Sequence, residues 1–252
     1  GRLMARDHDV RALDLPDINI SDPLSVEKAV TGFSPDVVIN CAAYTDVDGC
    51  ESQSDLAWAV NAEGPGNLAR AAACTGSYLI HISTDYVFDG KRPVPEPYTE
   101  ADTPAPVSAY GRSKLAGEEA VAGATDLFAI VRTAWLYGIS GRNFLKTMLR
   151  LAVADPARVI RVVDDQHGSA TWSHRLARQL QRLAEVRETG VFHATAEGYG
   201  TWCELARHFL TQMGLPYRLE PCTTSEYPTP ARRPANSILA NRRLSDMGVN
   251  VR

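Results

Sequence analysis

The sequence predicts an α/β fold, a doubly wound parallel sheet with a smaller C-terminal lobe. Three observations carry that expectation. Short apolar, β-branched runs at 35–40, 77–84 and 126–133 alternate with helical patterns, as buried parallel strands alternate with their crossover helices. The first two runs lead into small or hydroxyl-bearing residues, Cys41-Ala42-Ala43 and Ser83-Thr84, at the sheet edge where open α/β folds bind ligands. Between the second and third lies 107–118, a helix framed by a proline-rich loop, with Tyr110 and Lys114 four residues apart on one face.

Taken in order, residues 9–14 read as a strand closed by Asp14, whose carboxylate either accepts from a cofactor ribose or ends the strand at the surface. Ser21-Asp22-Pro23 starts a helix that ends near Thr31-Gly32. Residues 46–75 are mostly helical, with a break at Gly64-Pro65. The loop holding Pro93, Pro95, Pro97, Pro104 and Pro106 is long enough to form one wall of a site. Beyond the 126–133 strand, Trp135 fits either core packing or the wall of a sugar site. An amphipathic helix from Arg142, with Phe144, Met148 and Leu151 on one side, begins the smaller lobe. A strand and turn at 159–166, a helix at 173–185, a short strand from Gly190 and a helix at 201–213 opened by Thr201 and Glu204 complete it. The divisions are 1–141 for the nucleotide-binding unit and 142–252 for the mainly substrate-binding lobe, some of whose segments return to the first.

The 252 residues can bury a substantial core. A net charge of −4 with scattered basic residues argues against nucleic acid as a partner. No apolar run approaches the ~20 residues of a membrane span. Five dispersed cysteines and no Cys-x-x-Cys suit a reducing cytoplasm, and no histidine stands at metal-ligand spacing.

Tyr110 and Lys114 form a candidate proton-transfer device. A free phenol titrates near ~10, and a neighbouring ammonium is expected to bring it toward neutrality. The same spacing also occurs on ordinary solvated helices, so it does not decide alone. Arg232 and Arg233, set in rigid Pro228-Thr-Pro-Ala-Arg-Arg-Pro234, suit a diphosphate, or simply a basic surface loop.

The ordered set Asn40-Cys-Ala-Ala-Tyr-Thr-Asp-Val-Asp48, Ser83-Thr-Asp-Tyr-Val-Phe-Asp-Gly90, Tyr110-Gly-Arg-Ser-Lys-Leu-Ala-Gly-Glu118, Arg132-Thr-Ala-Trp-Leu-Tyr-Gly138, Asp164-Asp-Gln-His-Gly168 and 227–237 resembles the extended short-chain dehydrogenase/reductase family, and within it the reductases of dTDP-4-keto-6-deoxy sugars. The resemblance spans nearly the whole chain. It implies a Rossmann-type fold, NADPH or NADH as cofactor, a dTDP-4-keto-6-deoxy sugar as substrate, and an open expectation of a homodimer. By the same resemblance Tyr110, Lys114 and Thr84 are catalytic. Gly1, Asp14, Cys41, Ala42, Ala43, Ser83, Tyr110 and Lys114 meet the cofactor, and Thr45, Thr84, Trp135, Arg232, Arg233 and Asn236 meet the substrate. Tyr44 faces the same region, and Asn61 is structural. Gly1 would be the last glycine of the family's phosphate-binding turn, whose first strand and other glycines the sequence lacks; an incomplete record is the preferred reading. Two alternatives share the motifs: another nucleotide-sugar 4-ketoreductase or 4-epimerase, and a non-catalytic regulatory subunit of the same fold.

Overall fold

In the computed structural model, which describes residues 8–251, Asp22 opens the first regular element. Its carboxylate accepts from the Leu24 N–H at 3.0 Å, and Pro23 occupies the first helical position, where a missing N–H has no partner to lose. Helix α1 (Pro23–Phe33) closes on Ser34 in the left-handed region at φ 47°. Strand β1 (Val37–Asn40) follows, then α2 (Gly49–Ser52), α3 (Ser54–Trp58), a π-helical turn at Ala59–Glu63 and α4 (Gly64–Thr75). The break expected at Gly64-Pro65 takes the form of that π turn. Pro65 has no N–H to donate to the carbonyl four residues back, that of Asn61, so the helix widens there without ending.

Strand β2 (Tyr78–Thr84) leads through a 3₁₀ turn at Asp85–Val87 and the proline-rich loop to α5 (Ala109–Ala124) and β3 (Phe128–Thr133). Next come β4 (Leu136–Tyr137), α6 (Phe144–Ala154), β5 (Val159–Val163), β6 (His167–Gly168), β7 (Thr171–Trp172) and α7 (Ser173–Val186). The chain closes with β8 (Gly190–His193), β9 (Gly200–Thr201), α8 (Trp202–Gln212), β10 (Arg218–Cys222) and α9 (Arg242–Asp246).

The main sheet has the order β1-β2-β3-β8, and every pair in it is parallel. Alternation along the strands sends apolar side chains to both faces. Leu79 and Ile130 pack with Val26, Val30, Leu68 and Val121 of α1, α4 and α5. Their neighbours Tyr78, Ile80, Ala129 and Val131 pack with Leu176, Leu180 and Leu183 of α7 and with Leu244 of α9. The sheet is therefore doubly wound, with helices on both faces.

Within 142–252, α7, β8 and α9 return to the main sheet. Helices α6 and α8 instead cover the parallel pair β5–β10 and share a separate core of Met148, Ile160, Val162, Ala206 and Leu210. The capping box on α8 is formed: Glu204 N–H donates to Thr201 Oγ1 at 3.1 Å, and Thr201 N–H to Glu204 Oε2 at 2.9 Å.

One sequence expectation needs correction, and one strand lies outside those expected. Residues 9–14 are not a strand; they are irregular, and Asp14 is exposed with its carboxylate accepting from the Leu15 N–H. An extended segment becomes a strand only where a neighbour pairs with its backbone, and no described strand does so. Strand β10 was not anticipated, because Pro221 and exposed Arg218 and Glu220 blur its alternation. Its sheet has only two strands, so a proline is tolerated on the free side. No described helix is long and apolar enough to cross a membrane.

Candidate active site

Helix α5 sets the site. Ser108 caps it, accepting from the Gly111 N–H at 3.1 Å, which fixes the first turn and with it Tyr110. Two glycines bring this helix close to its neighbours. A Cβ on Gly111 would stand 2.2 Å from the Tyr86 carbonyl oxygen, and one on Gly117 would stand 2.1 Å from that of Asn61. The first approach seats α5 on the turn that follows Thr84. The second seats it on the π turn.

Tyr110 is buried, and its phenol is electrostatically linked to the Thr84 hydroxyl. Thr84 Oγ1 also accepts from the Tyr86 N–H at 3.2 Å and donates to Asp85 Oδ1 at 3.1 Å. Tyr86 packs edge-on against Tyr110, with ring centroids 5.7 Å apart. Burial pushes the Asp85 carboxyl up to about 6, an effect that the Thr84 hydrogen bond opposes.

Lys114 lies one turn deeper and is 1 % exposed. Its Nζ donates to the Ile82 carbonyl at 2.7 Å and stands 3.3 Å from His81 Nε2. Burial brings its pKa down to about 8, against opposing pulls from Glu118 and Cys41. The expected lowering of the Tyr110 pKa by Lys114 is not found. Burial raises it, Thr84 offsets part of the rise, and Asp85 and Cys50 add to it. Tyr110 is therefore a neutral phenol that keeps its proton at neutral pH.

Asn61 knits three segments together at this point. Its Oδ1 accepts from the Tyr44 N–H at 2.8 Å, while Nδ2 donates to the Tyr44 carbonyl at 3.0 Å and to Ser113 Oγ at 3.1 Å. The loop after β1 is thereby tied to α5. Cys41, Ala42 and Thr45 of that loop are exposed, Ala43 is half-buried, and the Cys41 thiol is electrostatically coupled to Lys114. Small side chains in this position leave the backbone open to a flat ligand.

Other expected site residues are held in different ways. Strand alternation puts Ser83 on the α5 side of the sheet, where its hydroxyl donates to Glu118 Oε1 at 2.5 Å, so it does not front the cleft. Glu118 is paired there with Arg132 at 2.7 Å. Asn236 is fully buried; its Nδ2 donates to the Arg92 and Glu96 carbonyls and its Oδ1 accepts from the Ile238 N–H. Trp135, at φ 46°, stacks on Trp202 of α8 with centroids 3.7 Å apart, where the sheet edge meets the second core. Arg232 is exposed. Arg233 is clamped by Asp48 at 2.9 and 3.0 Å, and its charge also acts on Tyr86. Gly1 lies outside the described residues. Sequence reasoning missed Asp48, Asp85 and His81. The first two sit inside quoted motifs, but only the fold shows what they touch.

The arrangement holds a phenol and a hydroxyl side by side at the carboxyl ends of parallel strands, above a buried amine. It can give a proton to an oxygen that gains charge. Among the described residues no group of three or more His, Cys, Asp or Glu could hold a metal ion.

Comparison with known proteins agrees with this geometry. The family model described as RmlD substrate binding domain matches residues 1–252. A dTDP-4-dehydrorhamnose reductase of Mycobacterium tuberculosis is 46 % identical over 246 residues, 96 % of this chain and 80 % of that one. The crystal structure of dTDP-4-dehydrorhamnose reductase from Bacillus anthracis in complex with NADP superposes with a TM-score of 0.94 at 38 % identity, covering 97 % of this chain and 85 % of that one. A Clostridium acetobutylicum ortholog gives 0.95 at 42 % identity, covering 99 % and 88 %. A matching ordered motif set, the same doubly wound fold and these similarities lead to one assignment: the chain belongs to the dTDP-4-dehydrorhamnose reductase family of extended short-chain dehydrogenases/reductases.

Proposed function

We propose that the protein reduces the C4 ketone of dTDP-4-dehydro-6-deoxy-L-mannose to dTDP-L-rhamnose with NADPH as reductant. The observation that carries the reading is Tyr110 and Thr84 brought together at the strand ends, with Lys114 one helical turn deeper on the same face of α5. The exposed, small-residue loop Cys41-Ala42-Ala43 beside Lys114 fits a dinucleotide, and these residues with Tyr110 and Lys114 would hold it. When bound, the cofactor supplies the hydride that reaches the carbonyl carbon. Tyr110, kept neutral by burial, donates its proton to the oxygen as negative charge develops there. Thr84 positions that phenol, and its hydroxyl turns from Asp85 to the substrate oxygen. Lys114 lies under the reacting edge and answers the negative charge left on Tyr110. Residues 142–252 supply most of the sugar-nucleotide contacts in this reading. Arg232 is free to meet a diphosphate, whereas Arg233 must first leave Asp48. The five free cysteines suit the reducing cytoplasm in which we place the reaction.

The test supplies dTDP-4-keto-6-deoxy sugar and NADPH and follows cofactor absorbance together with the sugar product. A reductase consumes NADPH one for one and yields dTDP-L-rhamnose. An epimerase leaves the cofactor level unchanged, and a regulatory subunit does neither; either result defeats the proposal.

A further inference from the structure

His81 is fully buried, and the chemistry proposed above makes no use of it. Its ring lies between Asn40 at the end of β1 and Lys114 on α5, with Nδ1 3.0 Å from Asn40 Nδ2 and Nε2 3.3 Å from Lys114 Nζ. We propose that Asn40 and His81 are positioning residues that turn the His81 Nε2–H toward Lys114 in the cofactor-free protein and so favour its neutral amine, whose lone pair can accept that proton, over its ammonium. The proposal takes Lys114's place in the reaction from the reading above, but its test needs no activity.

Hydrogen-bond direction carries the argument. The Ala42 N–H donates to Asn40 Oδ1 at 3.0 Å, which fixes which end of the amide is oxygen. Asn40 Nδ2 therefore faces His81, and an amide nitrogen can only donate. His81 Nδ1 must then carry a lone pair, and a neutral imidazole in that state has its proton on Nε2. An ammonium at Nζ has no lone pair, so N–H would confront N–H across the 3.3 Å gap. A neutral amine accepts from Nε2–H and still donates to the Ile82 carbonyl. An imidazolium is disfavoured as well, since its Nδ1–H would confront Asn40 Nδ2.

The groups facing Lys114 agree. They are the Cys41 thiol from the end of β1, His81 and the Ile82 carbonyl from β2, and Glu118 from α5 itself. Only the Glu118 carboxylate is a strong counter-charge, and Arg132 of β3 already pairs with it through two nitrogens. Burial lowers the pKa of both Lys114 and His81, the direction that an Nε2–H facing Nζ also favours for the amine. An added oxygen acceptor at Nζ, such as a ribose hydroxyl, would favour the ammonium further.

The experiment is nitrogen-15 NMR of the histidine rings in the cofactor-free protein, with carbon-13 observation of the lysine ε-carbons across a pH titration. The expected spectrum has His81 protonated at Nε2, bare at Nδ1 and unchanged through neutral pH. Asn40→Asp keeps Oδ1 for the Ala42 N–H and puts an accepting oxygen where Nδ2 was. The His81 proton should move to Nδ1, Nε2 should accept from Lys114, and the Lys114 titration should rise by roughly one unit or more. An Nδ1–H tautomer in the wild type, or an unchanged tautomer in Asn40→Asp, overturns the proposal. If the variant does not fold, the wild-type spectrum decides. An inactive protein with the Nε2–H tautomer would instead count against the functional reading alone.

Discussion

Gly111→Ala tests how closely the fold must hold α5, the helix that carries Tyr110. On an ordinary helix the change is favourable, since alanine is better than glycine by up to ~1 kcal/mol. Here the new Cβ would stand 2.2 Å from the Tyr86 carbonyl oxygen, 3.0 Å from Pro106 Cβ and 3.1 Å from the Tyr86 carbonyl carbon. Ordinary contact begins at 3.4 Å, so α5 and the turn after Thr84 must part by about 1 Å. Overpacking of this kind costs ~1–3 kcal/mol, which outweighs the gain in propensity. The displacement falls between Thr84 and Tyr110, and a misplacement of ~1 Å at a reacting centre can cost ~10²-fold in rate. Gly123→Ala is the matched control, because it lies on the same helix with nothing within 4 Å of its added carbon. Urea unfolding and NADPH turnover should show Gly111→Ala less stable and about 10²-fold slower, and Gly123→Ala no less stable with normal turnover. Wild-type rates in Gly111→Ala, or equal losses in both variants, would refute the argument that close approach of α5 builds the site.

Three further outcomes follow from the same geometry. Tyr110→Phe removes the proton donor but not the ring packing against Tyr86, so it should retain cofactor affinity by fluorescence titration and lose ~10²-fold or more in kcat. Lys114 falls from an ordinary 10.5 to about 8 in the fold, so between these values the unfolded chain binds a proton that the folded one does not. Its contribution to stability therefore rises with pH through that window, by roughly 3 kcal/mol in all, and the penalty is complete below pH 8. Unfolding of wild type and Lys114→Met at the two ends of the window should show that slope only in the wild type. Arg132→Met would leave Glu118 buried without its partner, at ~3–5 kcal/mol by chemical denaturation. Glu118→Met/Arg132→Met should recover most of that loss, and a double variant as unstable as the single would contradict it.

What could be read from the sequence was what depends on period and neighbours. The three apolar runs, the caps at Asp22 and Thr201, and the shared face of Tyr110 and Lys114 are local facts, and each element formed within a few residues of its expected place. Residues 9–14 failed because a strand is a property of two segments, and β10 was missed because its two-stranded sheet lets Pro221 and charged residues stay in it. The site was legible as residue types but not as partnerships. Ser83 and Thr84 are adjacent hydroxyls of equal chemical promise. Alternation in β2 turns Ser83 under α5 to Glu118, and the 3₁₀ turn delivers Thr84 to Tyr110. Arg232 and Arg233 are likewise indistinguishable in sequence, yet Asp48, far upstream, clamps one and leaves the other exposed. The Tyr110 pKa reversed for the same reason. Proximity of Lys114 in sequence promised a lowered value, but Nζ is turned toward Ile82 and His81 on β2, so burial sets the direction. Each discrepancy arises where two candidate groups are separated by a third that only the tertiary fold brings near, and those third groups (Glu118, Asp48 and His81) are where substitution will most change the chemistry without touching a motif's best-known residue.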